Sequence, residues 1–275
     1  MSAAPYFTLT RGASPLLISL PHTGTHMPAD LRGRYTAHAL TLEDTDWHLD
    51  QLYAFAQARG VGLLIPQVSR YVIDLNRPAT LGASAAPMYP GSNNTELCPT
   101  RSFEGVPIYL HDGTSSRAPD AAEIEQRCAT FWQPYHQALA AELARLKAQH
   151  GYAILFDGHS IKSHLPWLFE GKLPDLNIGT SSGTSCAPSL REQIALLCTR
   201  HPHLSHALDG RFKGGYITRQ YGNPQAAIHA VQLEMCWSTY MVEAPPFALD
   251  AARGATLQPF LSDLIDLFLA WRPHA

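Results

Sequence analysis

Residues 152–160 read Tyr-Ala-Ile-Leu-Phe-Asp-Gly-His-Ser, an apolar run that turns abruptly into a carboxylate, a glycine, an imidazole and a hydroxyl. A short apolar run bounded by Gly151 and by polar residues is expected of a buried strand. Ligands of open α/β sheets gather beyond the carboxyl ends of strands, so Asp157 and His159 stand where chemistry is expected. Two other segments follow a similar pattern. Pro15–Leu20 (PLLISL) is a second apolar run that stops at Pro21-His22-Thr23-Gly24, and Ile228–Cys236 (IHAVQLEMC) is a third that carries Glu234 within it.

Helical patterns separate these runs. From Thr41 to Arg59, Leu42, Leu49, Leu52, Tyr53 and Phe55 recur at helical spacing, and Gly60 stands at the expected stop. Val61–Ile65 and Arg70–Leu75 read as two strands, or as one bent at Pro66. Residues 76–119 are rich in Pro, Gly, Ser and Asn, and a loop of that length in a compact domain is usually functional. A long helix is expected over Asp120–His150, kinked or divided at Pro134 and ended by Gly151. After the 152–156 run come a loop to Cys186, a helix over Ser189–Arg200, the third strand, and an amphipathic closing helix over Leu257–Trp271. This alternation predicts an α/β fold over residues 1–275 as a single domain, with a mixed, largely parallel sheet flanked by helices.

Composition excludes several function classes. The chain has 275 residues, 45% hydrophobic and 16% charged, which rules out general disorder. Its net charge of −3 comes without basic blocks, which argues against nucleic acid as a partner. No apolar run approaches ~18 residues, so no membrane span is expected. The first eleven residues lack the basic start and apolar core of an export signal, and a cytoplasmic location is expected. Five cysteines without a C-x-x-C pair fit free thiols in a reducing compartment. Histidine is the unusual residue, with 14 copies.

Zinc catalysis wants about three nitrogen or oxygen ligands and one open position. His22 and His159, each set after a buried run and beside a glycine, supply two. Glu43-Asp44-Thr45-Asp46 opens the expected helix, and its three carboxylates exceed what capping needs, so one is available as a third ligand. His26 lies four residues after His22, but Gly24 and Pro28 make a helix there improbable and leave it a bystander. Arg70, Asn76 and Arg77 bracket the expected strand RYVIDL as a clamp for a substrate carboxylate; an Arg70–Asp74 ion pair is the equally weighted structural reading. Arg211, Lys213 and Arg219 surround Gly214-Gly215, a flexible loop suited to closing over an anion. Glu234 either faces solvent by alternation or is buried with a purpose.

Eight blocks, in order, resemble the N-formylglutamate amidohydrolase family: PHTG at 21–24, DTDWH at 44–48, SRYVIDLNR at 69–77, TELCPT at 95–100, DGHS at 157–160, LPDLNIGT at 173–180, FKGGYITRQYG at 212–222 and HAVQLEMCW at 229–237. The resemblance runs from about residue 15 to 246. That family is similar, distantly, to the zinc carboxypeptidases and succinylglutamate desuccinylases, which implies a zinc-carboxypeptidase-like fold. It implies His22 and His159 as zinc ligands, Glu234 as the catalytic glutamate, and Arg70 with Asn76-Arg77 as the holders of a substrate carboxylate. The distant relatives place a ligand glutamate three residues after the first histidine; here that position is Thr25, so the third ligand is expected at Asp44 or Asp46, with Asp44 preferred. Lys162 stands where the family commonly has arginine. The implied reaction is hydrolysis of N-formyl-L-glutamate to formate and L-glutamate, the last step of a histidine-degradation route. Two other readings are a hydrolase of another acidic N-acyl amino acid and a non-catalytic dicarboxylate binder.

Overall fold

The computed structural model describes residues 6–79 and 96–273. Its strands are β1 (Phe7–Thr10), β2 (Leu16–Ser19), β3 (Gly62–Pro66), β4 (Ala153–Ile161), β5 (Leu176–Gly179), β6 (His206–Leu208) and β7 (Ile228–Cys236). Among the described residues they form one seven-stranded sheet in the order β1-β3-β2-β4-β7-β5-β6. The pairings β3–β2, β2–β4, β4–β7 and β5–β6 are parallel, and β1–β3 and β5–β7 are antiparallel. The α-helices are α1 (Ala29–Arg32), α2 (Leu49–Leu52), α3 (Ala121–Arg127), α4 (Gln133–His150), α5 (Pro188–Thr199), α6 (Tyr216–Tyr221) and α7 (Ala251–Ala270).

Every residue of β4 is buried. Ile154 and Phe156 enter a core with Ile194 and Leu197 of α5 and Leu261, Leu264 and Phe268 of α7. Ala153 and Leu155 enter a second core with Leu139, Leu143 and Leu146 of α4. The two-sided cover accounts for the unbroken apolar run, since a strand packed on both faces has no solvent side to make polar. Alternation then carries Asp157 and His159 onto the α4 face of the sheet, together with Gln232 and Glu234 of β7.

The expected helices hold where their end signals are strong. Gly151 closes α4 in the left-handed region, at φ 82°, and Pro134 sits in the first turn of α4, after a π-helical turn at Cys128–Trp132. The long pattern is therefore divided, as a proline without an N–H requires. The closing helix begins at Ala251, earlier than expected, because the Asp250 carboxylate caps the N–H groups of Ala252 and Arg253.

Two expectations fail. The helix over 41–59 is reduced to α2 and a 3-10 stretch, Ala54–Arg59, and residues 43–46 lie in a buried loop instead of capping a helix. The expected strand Arg70–Leu75 is a buried turn. Here Ser69 Oγ accepts the N–H of Tyr71, and Asp74 Oδ1 accepts the N–H of Asn76. Such side-chain acceptors capture backbone donors that a strand would have paired. The sequence reading also passed over β1, β5 and β6, each four residues or shorter.

The His22 turn is held against the segment following β3: His26 donates its N–H to Gln67 O at 2.7 Å, and Ser69 donates to His26 O at 2.8 Å. Gly24 makes the approach possible, since a Cβ there would stand 2.2 Å from Val68 O. Gly24→Ala should lower stability by about 1–3 kcal/mol through backbone displacement, read as a shift in the urea midpoint. An unshifted midpoint would mean that the two segments do not pack this closely.

Candidate active site

The register of the sheet assembles the site. His159 of β4 is paired directly with Glu234 of β7, and Asp157 with Gln232. His22 arrives from the turn after β2, the strand beside β4 on its other side. Asp46 comes from the buried loop before α2, where its N–H donates to His22 O at 3.0 Å. All four of His22, Asp46, His159 and Glu234 are buried.

The two imidazoles face each other through Nδ1, 3.1 Å apart. Their outer nitrogens are engaged by carboxylates: His22 Nε2 lies 2.7 Å from Asp74 Oδ1, and His159 Nε2 lies 3.1 Å from Asp157 Oδ2. With its proton on Nε2, given to Asp74, His22 turns the lone pair of Nδ1 into the space between the rings; His159 does the same when its Nε2 proton faces Asp157. Asp46 Oδ2 stands 3.2 Å from His159 Nδ1 and 3.5 Å from His22 Nδ1. These are close approaches without hydrogen-bond geometry, since neither Asp46 oxygen has a hydrogen-bond partner among the described residues. Two lone pairs and a carboxylate converging in a buried space repel one another unless a positive charge, a proton or a metal ion, lies between them. The donor set and the carboxylates behind each histidine match the usual environment of a protein-bound metal. His22, Asp46 and His159 therefore form a candidate metal site.

The surrounding charges are tuned by burial and by one another. Burial alone would raise Asp46, but contact with His159 and His22 overcomes it and holds the carboxyl at about 2. Burial opposes the charge on His159, yet the Asp157 and Asp46 carboxylates outweigh it and keep its pKa well above the ordinary value. Glu234 is pushed up to about 8 by burial, against the pull of His159. Its Oε2 accepts from Gln232 Nε2 at 3.2 Å, and Gln232 Oε1 is fixed in turn by the Gly215 N–H at 2.6 Å.

The structure distributes the other expected site residues unevenly. Asp44, the preferred ligand, points away from the histidines: its Oδ2 accepts the Phe103 N–H at 2.8 Å, and burial raises it to about 6 against the nearby Arg70. Arg70 is buried in an ion pair with Asp74 at 2.8 Å, under the ring of Phe103 at 4.5 Å, which is the structural reading of that residue. Asn76 places Nδ2 3.1 Å from His159 Nε2 and accepts the Ile217 N–H on Oδ1. Arg77 is half-buried, its NH1 donating to Asn76 O. The expected flexible loop at 211–219 is shaped by α6, with Gly215 at its N-cap. A Cβ on Gly215 would lie 2.2 Å from Asn76 Nδ2, so a side chain there would displace the Asn76 amide from its place beside His159. Lys213 and Arg219 line an open pocket of about 320 Å³ with Ser181, Ser182, Thr184 and Ser185. Arg211 instead lies against Phe212 and donates to Leu168 O. Lys162 pairs with Glu104 and, at 3.5 Å, with Glu43. The 95–100 block begins at Thr95, which lies outside the described residues.

The pattern of the N-formylglutamate amidohydrolase family matches residues 14–241. The chain is 45% identical over 261 residues to the curated N-formylglutamate deformylase of Pseudomonas aeruginosa, covering 95% of each chain. It is also 45% identical over 261 residues to that of Pseudomonas putida, covering 95% of this chain and 94% of the other. The chain belongs to the N-formylglutamate amidohydrolase family. A crystal structure of an N-formylglutamate amidohydrolase from Ralstonia eutropha JMP134 superposes with a TM-score of 0.79 at 25% identity, over 95% of this chain and 96% of that one. A gene product of Agrobacterium tumefaciens shares the fold at 15% identity, with a TM-score of 0.69 over 96% and 94% of the two chains. The family resemblance read from the eight sequence blocks is thus confirmed across almost the whole chain, as is the expectation of an amidohydrolase-family enzyme with an α/β fold.

In this member of the N-formylglutamate amidohydrolase family, sequence reasoning gave no supporting role to three residues that hold the site. Asp74 and Asp157 support the two histidines, and His136 of α4 supports Asn76. His136 Nε2 donates to Leu75 O at 2.9 Å, Nδ1 accepts from the Tyr221 hydroxyl at 2.9 Å, and the neighbouring Trp132 donates to Arg77 O at 2.8 Å. Burial lowers His136 from 6.5 to about 4. Between those values the unfolded chain takes up a proton that the folded protein refuses. Stability should therefore fall as pH drops from 6.5 towards 4, by on the order of 3 kcal/mol from this residue. Urea midpoints of the wild type and His136→Gln should converge as pH falls through that window. Parallel curves would show that His136 does not titrate in this way.

Proposed function

We propose that the protein hydrolyses N-formyl-L-glutamate to formate and L-glutamate, with one divalent ion, zinc, held by His22, Asp46 and His159. The carrying observation is the pair of inward Nδ1 atoms, 3.1 Å apart beside Asp46, in a chain 45% identical to curated deformylases. When bound, such an ion acidifies a water and polarises a carbonyl oxygen. Glu234, adjacent in register to His159, takes the proton of the attacking water and returns it to the amide nitrogen as the C–N bond breaks. A carboxyl raised to about 8 is poised for both directions of transfer near neutral pH. Water supplies the hydroxyl of formate and a proton for the leaving amine, so the reaction balances without another reactant.

The formyl group offers little to bind, so recognition falls on the glutamate portion. Arg77, Lys213 and Arg219 are assigned to its carboxylates, while Arg70 and Asn76 orient the groups behind the histidines. The whole chain, residues 1–275, is read as a single domain of this family. Five free, buried cysteines support a reducing, cytoplasmic setting, where the reaction would end a histidine-degradation route.

A chelator should abolish formate release, and added zinc should restore it. Asp46→Ala should weaken zinc binding at least ~10-fold, whereas Asp44→Ala should leave it near wild type. Calorimetric titration of zinc into each apo variant separates the two, and the reverse order would move the ligand to Asp44.

Glu234→Gln keeps the shape and removes the proton acceptor. Its kcat should drop ~10²–10⁴-fold with zinc content and substrate Kd close to wild type. An unchanged kcat would place the base elsewhere.

A further inference from the structure

β5 extends the row that contains the proposed base. Asn177 is paired in antiparallel register with Glu234, which is itself paired with His159, so three adjacent strands present His159, Glu234 and Asn177 side by side. Leu176 and Ile178 point into the core beneath α5 and α7, and alternation puts Asn177 on the opposite face, the face of Glu234. Directly paired residues hold their Cβ atoms about 5 Å apart.

The orientation of the Asn177 amide is not ambiguous. Its Nδ2 donates to Pro174 O at 2.8 Å and to Glu234 O at 3.3 Å, two carbonyls that only the nitrogen end can satisfy. The oxygen end is therefore Oδ1, and it has no hydrogen-bond partner among the described residues, on a side chain only 1% exposed. A buried amide oxygen without a donor is costly and calls for an explanation. Gln232, the other amide on this face, uses both of its ends.

We propose that Asn177 Oδ1 accepts the N–H of the scissile amide. This rests on the deformylase reading of the site. An oxygen that can only accept selects a hydrogen-bearing nitrogen, and the formamide carries one such hydrogen. The bond strengthens as the nitrogen gains its second proton from Glu234, because the N–H then belongs to an increasingly positive amine. Interactions that tighten in the transition state raise kcat more than they lower KM.

The test compares N-formyl-L-glutamate with 2-formyloxyglutarate, the ester in which oxygen replaces the amide nitrogen. Asn177→Ala should lower kcat on the amide ~10- to 100-fold with KM little changed, and leave ester hydrolysis within about threefold of wild type. Ester turnover also reports that the variant is folded. Amide and ester rates falling together, or neither falling, would overturn the assignment. The unaltered protein gives a second readout: N-formyl-N-methyl-L-glutamate, whose nitrogen bears no hydrogen, should turn over at least ~10-fold more slowly than the parent amide, and an equal rate would also overturn it. A wild type that hydrolyses neither N-formyl-L-glutamate nor its ester would instead remove the deformylase reading.

Discussion

The pairing of β4 with β7 is the constraint on which the rest of the site depends. Nine consecutive residues of each strand are in parallel register, from Ala153–Ile228 to Ile161–Cys236, and His159 beside Glu234 is one rung of that ladder. A slip of one residue would turn Glu234 into the apolar core and bring Leu233 or Met235 to the site face. The core prevents it, because Val231, Leu233 and Met235 fill one side of β7 among the side chains of α5 and α7. The hydrophobic pattern that stabilises the sheet is thereby the device that places the row of the candidate site.

The site gathers buried charge that a purely structural core would avoid. Asp44, Asp46, Asp74, Asp157 and Glu234 are buried with His22, His159 and Arg70. Burying carboxylates is costly unless they are paired, and the arrangement supplies a partner for most of them. Arg70 faces Asp74 and, at 3.9 Å, Asp46; the Phe103 N–H serves Asp44; Thr218 Oγ1 donates to Asp157 at 3.2 Å. Asp46 remains the exception, lying close to the two imidazoles and Arg70 but with no hydrogen bond of its own among the described residues. That residual frustration sits at the point where a divalent ion would relieve it.

Support for the site comes from short, irregular segments rather than from the sheet alone. Residues 69–77 fold back through side-chain-to-backbone bonds and place Arg70, Asp74 and Asn76 around the histidines. Trp132, at the end of the π-helical turn, and His136 of α4 hold the backbone of that turn, and Gly215 at the start of α6 meets Asn76 without a side chain of its own. Each support is a close approach between segments remote in sequence.

Much of this was legible from residue order. The apolar runs before His22 and His159, and around Glu234, announced buried strands that end in chemistry, and Gly60, Pro134 and Gly151 marked helix limits by local stereochemistry. These signals survive because periodicity and proline or glycine conformation act over a few neighbouring residues. The choice between Asp44 and Asp46 was not legible, since the two differ only in where a buried loop turns them. Nor were the supporting roles of Asp74, Asp157 and His136, or the turn at residues 69–77, whose apolar content reads as a strand. The short strands β1 (FTLT), β5 (LNIG) and β6 (HAL) escaped because, unlike the equally short β2 within its apolar run, they mix polar and apolar residues over too few positions to show a period. Sequence determined which side chains were available at the strand ends; the tertiary structure alone decided which nitrogen, carboxylate and amide oxygen came to face one another, because that depends on register and on contacts between segments as far apart as 137 residues.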